Sequence, residues 1–459
     1  MPLAAEETDR NDSDGHQHSE ACEPDDHSLS PSVLHGLHQV HRVVGVPLPS
    51  SPPGWREERR PPLVGRSDCV GQTGTVRVYL DHAATTPMAP EAVEAMLPYL
   101  AGQFGNPSGS HHESRQARRA VDDAREQIAG LLGADLGELV FTASGTEADN
   151  LAVVGGWEQF ASYRSQPPPL VCSAMEHHAV LHTCRALAQR TGADLREVPT
   201  GKDGIIDLEA LAQACTPDVG LVSVMTVNNE IGTVQPIDAV ASVVRDRSPD
   251  AVFHTDAVQA VPWIDVRTRT APADLVTVSA HKFGGAKGVG ALVVRKGIAV
   301  RPLIHGGGQE RERRSGTHNV AGIVAMAAAL AVTDANRSET VERVGALRDR
   351  LGAGLLATVT GTTETGAREH KVAGHLHLRF AGVESEALVV LLDEAGVAVS
   401  AGAACSSGAV EVSHVLSSMG LGLDEAASGI RFSLGPSTTE AAIDHVLAVA
   451  PGVIAQLRD

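Results

Sequence analysis

The feature that most constrains this chain is an alternation. From VRVYLDHAA at residues 76–84 onward, short β-rich runs alternate with amphipathic helical patterns, the order that builds a parallel sheet covered by helices. Strands are predicted at Leu139 to Thr142, Leu170 to Ala174, Gly220 to Val227, Ala251 to Asp256, Asp274 to Ser279 and Gly290 to Val294. Several read as apolar on both faces, as a covered parallel sheet requires. Between them Ala117, Val121, Ala124, Ile128 and Leu131 recur at spacings of three and four, giving one apolar stripe expected to face the sheet. After about Asn336 the order becomes helix, strand, helix, strand, helix, ending with Ile443, Val446, Leu447, Ile454 and Leu457 on one helical face. That change predicts a second, smaller α+β domain.

Residues 1 to about 75 lack this texture. They are rich in Asp, Glu, His, Ser and Pro, and are predicted to be a disordered extension. Its histidines, at 16, 18, 27, 35, 38 and 41, are read as part of a solvated polar tail and no metal is assigned to them. The start is acidic with no cationic and apolar lead, so it does not resemble a secretory signal, and the cytoplasm is the default compartment. The apolar runs, interrupted by Gly, Pro or charges, are read as too short for the roughly 20 residues of a membrane helix. A formal charge of −19 argues against a nucleic-acid footprint, which needs a basic stripe. The six cysteines form no CxxC pair and no zinc-like spacing, so most are expected to be reduced and several buried.

Chemistry concentrates at the predicted strand ends. In VSAHKFGGAKGVGALVV, Lys282 closes a strand at the carboxyl edge of the sheet, where α/β proteins bind ligands. A desolvated lysine there can form a Schiff base with an aldehyde cofactor; alone, it would be read as a surface lysine in a turn. VFHTDAVQA ends another strand with Asp256 and Gln259; the carboxylate could keep a pyridinium nitrogen protonated, or simply cap a helix. FTASGTEADN reads strand, tight turn, helix, with the amides of Gly145 and Thr146 suited to a phosphate or to a capping box. In EHHAV, His177 could stack on an aromatic cofactor, whereas His178 is read as structural. TVNNEIG offers the side-chain amides of Asn228 and Asn229, though asparagines are common in turns. Cys405 sits in SAGAACSSGAVEVSHVL, an accessible small-residue loop where a thiolate would be a nucleophile and a thiol inert packing. Arg431, in IRFSLG, can grip a carboxylate bidentately or form a plain surface ion pair.

Taken in this order, the motifs closely resemble the cysteine desulfurases of the nitrogen-fixation and iron-sulfur-cluster type. These belong to the class V aminotransferase-like group of fold-type I pyridoxal-phosphate enzymes. The resemblance runs from YLDHAATTPMAPEAVEAMLPY through FGNPSGSHHESRQAR, NNEIGTVQPI and GGGQERERRSGTHNV to the Cys405 loop and IRFSLG, leaving only the first 75 or so residues outside. It implies an α/β fold: a large domain over residues 91–337 with a mostly parallel seven-stranded sheet flanked by helices. Residues 76–90 and 338–459 would form the smaller α+β domain.

The resemblance also implies roles. Lys282 would be the Schiff-base lysine of pyridoxal 5'-phosphate, Asp256 the partner of the pyridine nitrogen, and His177 the stacking ring. Gln259 and Asn229 would bond the phenolic oxygen, while Gly145, Thr146, Ser279 and His281 would hold the phosphate. Thr317 would reach the phosphate of a neighbouring subunit, which implies a homodimer. Asn229 and Arg431 would hold the substrate carboxylate, and Cys405 would accept sulfur from L-cysteine, leaving alanine. The small-residue run before Cys405 looks like the long-loop subtype, which hands sulfur directly to a protein acceptor such as an iron-sulfur scaffold or a transfer-RNA thiolation enzyme. Where the family commonly has GPKG, this chain has GAKG at Gly285 to Gly288, so Ala286 replaces a rigid turn residue. Rival readings are a selenocysteine lyase or another class V aminotransferase, since fold and cofactor do not fix the reaction, and a catalytically silent scaffold of sulfur metabolism. The Cys405 loop discriminates against an aminotransferase. A silent scaffold has no chemical need for Lys282, Asp256, His177, Cys405 and Arg431 together.

Overall fold

A computed structural model describes residues 77–402 and 412–459; the predicted N-terminal extension and Cys405 lie outside the described residues. The chain enters through β1 (Val78–Tyr79), α1 (Pro90–Leu100) and α2 (His112–Leu132). It then alternates β2 (Leu139–Thr142), α3 (Gly145–Asn150), α4 (Gly156–Ala161), β3 (Leu170–Ser173), α5 (His178–Thr191), β4 (Leu195–Val198), α6 (Leu208–Ala214) and β5 (Leu221–Ser223). Next come α7 (Ile237–Arg247), β6 (Val252–Asp256), α8 (Val266–Arg269), β7 (Leu275–Ser279), β8 (Gly290–Val294) and the long α9 (Val320–Thr358). The remainder is β9 (Thr362–Glu364), β10 (His375–Phe380), α10 (Ser385–Glu394), β11 (Val397–Ala398), α11 (His414–Ser418), α12 (Leu423–Ala426), β12 (Gly429–Ser433) and α13 (Glu440–Arg458).

Seven strands form the main sheet in the order β2-β8-β7-β6-β5-β3-β4. All neighbours pair in parallel except β8, which runs antiparallel to both β7 and β2. The ends of β2, β3, β5, β6 and β7 therefore share one carboxyl edge. Every residue of β2, β3, β5, β6, β7 and β8 is buried, which is why these runs carry no polar alternation. The predicted strand at Gly220 to Val227 shortens to Leu221–Ser223, and β4 adds an edge strand that its polar Arg196 and Glu197 concealed. The bend after Lys282 forms with Ala286 buried, and Gly284 and Gly288 supply its positive φ angles of 83° and 79°.

The stripe on α2 is buried at Ala117, Val121, Ala124 and Ile128, but it packs chiefly on α9 rather than directly on the sheet. Its ends are set locally: the His111 ring accepts from Ser114 N–H, and Gly133 closes the helix in the left-handed region at φ 65°. Contrary to the expectation of only short apolar runs, α9 and α13 are long and apolar enough to cross a membrane. Both pack on the core and on each other; the scattered charges and Pro451 that break the pattern in the sequence do not break the helices. Around them β12, β10 and β9 form a second, antiparallel sheet, and β1 pairs in parallel with β11. Cys172, Cys184 and Cys215 are buried free thiols.

Candidate active site

A cavity of about 490 Å³ opens at the shared carboxyl edge. Lys282 enters it from a tight turn after β7, and its Nζ donates to the carbonyls of Ala83 at 2.6 Å and Ala84 at 2.8 Å. Burial and the neighbouring Arg431 outweigh the attraction of Asp256 and Asp81, and lower the amine from 10.5 to about 8. Asp256 ends β6, one strand away; burial pushes its carboxyl up to about 6 against the Val258 N–H bond at 2.8 Å and Lys282.

Gly145 and Thr146 open the helix after β2, below the cap in which Ser144 Oγ accepts from Glu147 N–H at 3.1 Å. A Cβ on Gly145 would stand 3.0 Å from Ser279 Cβ, so the backbone approaches closely only because this residue is glycine. Ser279 and His281 line the cavity opposite, and burial with the charge of Lys282 lowers His281 to about 4. His177 caps α5 by accepting from Ala179 N–H at 3.1 Å. Its ring is open to the cavity yet walled by protein, and desolvation together with Lys282 lowers it to about 4, leaving a neutral face for stacking. Gln259 also lines the cavity, but its Nε2 is held by the Ala83 carbonyl at 2.7 Å.

Arg431, on β12, reaches the same cavity from the second sheet. Its guanidinium donates to the Asn229 carbonyl at 2.9 Å and to Asp81 Oδ1 at 2.7 Å. Asn229 lines the cavity, whereas Asn228 is turned into its own loop, accepting from Glu230 and Ile231 N–H and donating to the Met175 carbonyl. Thr317 is exposed and does not line the cavity of its own chain. Cys405 lies outside the described residues, but Ser400 and Gly402 before it and His414 after it all line the cavity. A second, mostly apolar cavity of about 630 Å³ meets the first at Ala83, Gln259 and Lys282; its walls, including Trp263, Phe283 and Met88, hold less of the polar chemistry.

The structure adds residues that sequence reasoning missed. Asp81, in the LDHAATT run, pairs with Arg431, and the carbonyls two and three residues on hold Lys282, so one short segment steadies both. Asp149, one turn into α3, is buried beside Asp256 with its carboxyl raised well up by burial and then by Asp256. His254 stands behind it, bonded to Ser223 at 2.9 Å and Thr277 at 3.1 Å. Strand alternation places His254 two residues before Asp256, a signal visible only once β6 is known to end at the site.

These groups fit pyridoxal 5'-phosphate: an amine of lowered pKa for an aldehyde, a buried carboxylate for a pyridinium, a flat imidazole face, and a glycine cradle for a phosphate. Known proteins agree with this reading. The family model for aminotransferase class V matches residues 78–446. The chain is 42% identical over 381 residues to a cysteine desulfurase IscS of Dictyoglomus turgidum, covering 83% of this chain and 95% of that one. Among solved structures, a NifS-like protein superposes with a TM-score of 0.76 at 34% identity, covering 83% of this chain and 100% of its own. The structure of SspA in complex with cysteine matches with a TM-score of 0.68 at 32% identity, over 79% and 100% of the two chains. The chain thus belongs to the cysteine desulfurases, pyridoxal-phosphate-dependent enzymes of aminotransferase class V.

Proposed function

We propose that this protein converts L-cysteine to L-alanine and takes the sulfur onto Cys405 as a persulfide. The observation that carries the reading is one cavity that joins Lys282 and Asp256 on adjacent strand ends, Arg431 from the second sheet, and both flanks of the Cys405 segment. When bound, pyridoxal 5'-phosphate supplies the electron sink that labilises bonds at the substrate's carbons.

The chain's residues do the rest. Lys282 would anchor the aldehyde, and its Nζ, lowered to about 8 by burial and Arg431, could as a free amine hold or move a proton. Asp256 would pair with the ring nitrogen and His177 would stack on the ring. Asn229 and Gln259 would serve the phenolic oxygen. Gly145, Thr146, Ser279 and His281 would hold the phosphate. Arg431, with Asn229, receives the substrate carboxylate. The Cys405 thiolate attacks the substrate sulfur; the carbon–sulfur bond breaks with its electron pair left on carbon, a sulfur–sulfur bond forms, and protonation of carbon completes alanine.

The working unit is a cytoplasmic homodimer in which Thr317 serves the partner's phosphate; its exposure outside its own cavity supports this. Residues 91–337 form the large domain, and 76–90 with 338–459 the small one, a division supported by the pairing of β1 with β11. The persulfide then passes to an acceptor protein, an iron-sulfur scaffold or a thiolation enzyme. The test is anaerobic incubation with L-cysteine, quantifying alanine and mapping persulfide by peptide mass spectrometry. Alanine with a persulfide on Cys405 is expected. A bound cofactor with neither product would overturn the reading in favour of another amine substrate or a silent scaffold.

A further inference from the structure

The loop from Gly308 to His318 is strained and unusually well tied down. Glu310, Arg311 and Glu312 are three successive non-glycine residues at positive φ, 50°, 56° and 66°. Each is disfavoured against a right-handed conformation, and such strain persists only where surrounding contacts over-determine it. The contacts are present. The buried Glu310 carboxylate accepts from Arg125 on α2, at 3.0 and 2.5 Å, from the Phe141 N–H of β2 at 3.0 Å and from His318 at 2.6 Å. Burial pushes this carboxyl up, but the bonds from His318 and Arg125 outweigh it and hold it at about 2.

Four residues on, Arg314 points at the turn that follows β2. Its guanidinium meets Glu147 with Nε to Oε1 at 2.7 Å and Nη2 to Oε2 at 3.3 Å. Glu147 is the third residue of α3, and its Oε2 also accepts from Ala143 N–H at 2.8 Å. The carboxylate thus fixes the shape of the turn Ala143–Thr146, yet places a negative charge in the same helical turn whose amides would receive a doubly charged phosphate. The helix end favours one anion there, and two compete for it. Both side chains are less than one-fifth exposed, so solvent screens the conflict poorly. The loop is anchored by Glu310 to the strand before the turn and by Arg314 to the helix after it.

We propose that Arg314, held by the Glu310 anchor, is a positioning residue for the cofactor's phosphate: it neutralises Glu147 so that this carboxylate can shape the phosphate turn without repelling its ligand. The inference rests on the reading that Gly145 and Thr146 hold that phosphate.

The test measures dissociation constants of full-length apoprotein for pyridoxal 5'-phosphate and for pyridoxal, which lacks the phosphate, by tryptophan fluorescence. Arg314→Gln should weaken the phosphorylated ligand about tenfold while leaving pyridoxal within about twofold, since only the phosphate meets the unpaired Glu147. Adding Glu147→Gln should restore the affinity to within about threefold, because the repulsion is then gone. Glu310→Gln should show the same phosphate-selective loss. Equal weakening of both ligands, no weakening, or no restoration in the double variant would each overturn the proposal. Should Arg314→Gln fail to fold, Arg314→Lys decides: it keeps the charge and should stay within about threefold of wild type, and a larger phosphate-selective loss refutes a role through charge. If the wild type binds pyridoxal as tightly as pyridoxal 5'-phosphate, it is the phosphate assignment itself that has failed.

Discussion

The lowered pKa of Lys282 gives a quantitative handle on the site. Free lysine amines titrate near 10.5, and Lys282 is brought to about 8. That lowering corresponds to about 3 kcal/mol against the ammonium form. Only the neutral amine attacks an aldehyde, so at pH 7 the reactive fraction is larger than for an ordinary lysine by a factor on the order of 100. The sign follows from the direction of the shift: the rate at which apoprotein captures pyridoxal 5'-phosphate should climb with pH and level off above about 8. Arg431→Gln removes a neighbouring positive charge and frees Asp81 to attract the ammonium, so the inflection should move up; Asp81→Asn should move it down. Stopped-flow absorbance across pH 6 to about 10.5 measures all three. A rate in the wild type that keeps rising about tenfold per pH unit beyond pH 9 would refute the desolvation argument. Inflections that ignore both substitutions would refute the electrostatic one.

Three further outcomes are expected. Cys405→Ala should keep the cofactor's colour but lose persulfide and most sulfide release from L-cysteine, and full activity in that variant would remove Cys405 from the acceptor role. Glu310, lowered from 4.5 to about 2, contributes about 3 kcal/mol that is fully present above about pH 4.5 and lost as pH falls toward 2. Acid unfolding of Glu310→Gln followed by circular dichroism should therefore have a shallower pH dependence in that window, and an unchanged slope counts against the clamp. Gly232 lies at φ 77° with its missing Cβ only 2.3 Å from His375 Cβ, so Gly232→Ala should cost about 2 kcal/mol or more in urea denaturation.

Much of the site was legible because its residues follow strands. Lys282, Asp256, His177 and Gly145 each sit just after an apolar run, and a parallel sheet delivers all such positions to one edge whatever their separation in the chain. The helical stripe of α2 was equally plain in its period, yet its partner was not: periodicity states that a face is buried, not what buries it, and α9 took the place expected for the sheet. The length of α9 was also hidden, since charges such as Glu339 and Glu342 lie on its solvent side and interrupt the run without interrupting the helix.

The sequence by itself determined the alternating α/β plan, the strand-end residues suited to an aldehyde cofactor, and the family resemblance. These depend on local period and on residue type, which the linear order carries. Only the tertiary structure decided that Arg431 pairs with Asp81 across 350 residues, that Asp149 and His254 stand behind Asp256, and that Glu310 and Arg314 pin a strained loop to the turn after β2. Most of those are contacts between ionisable groups distant in the chain. Whether a charge is screened by water or shares a dry cavity depends on what the fold packs around it, which no local pattern records.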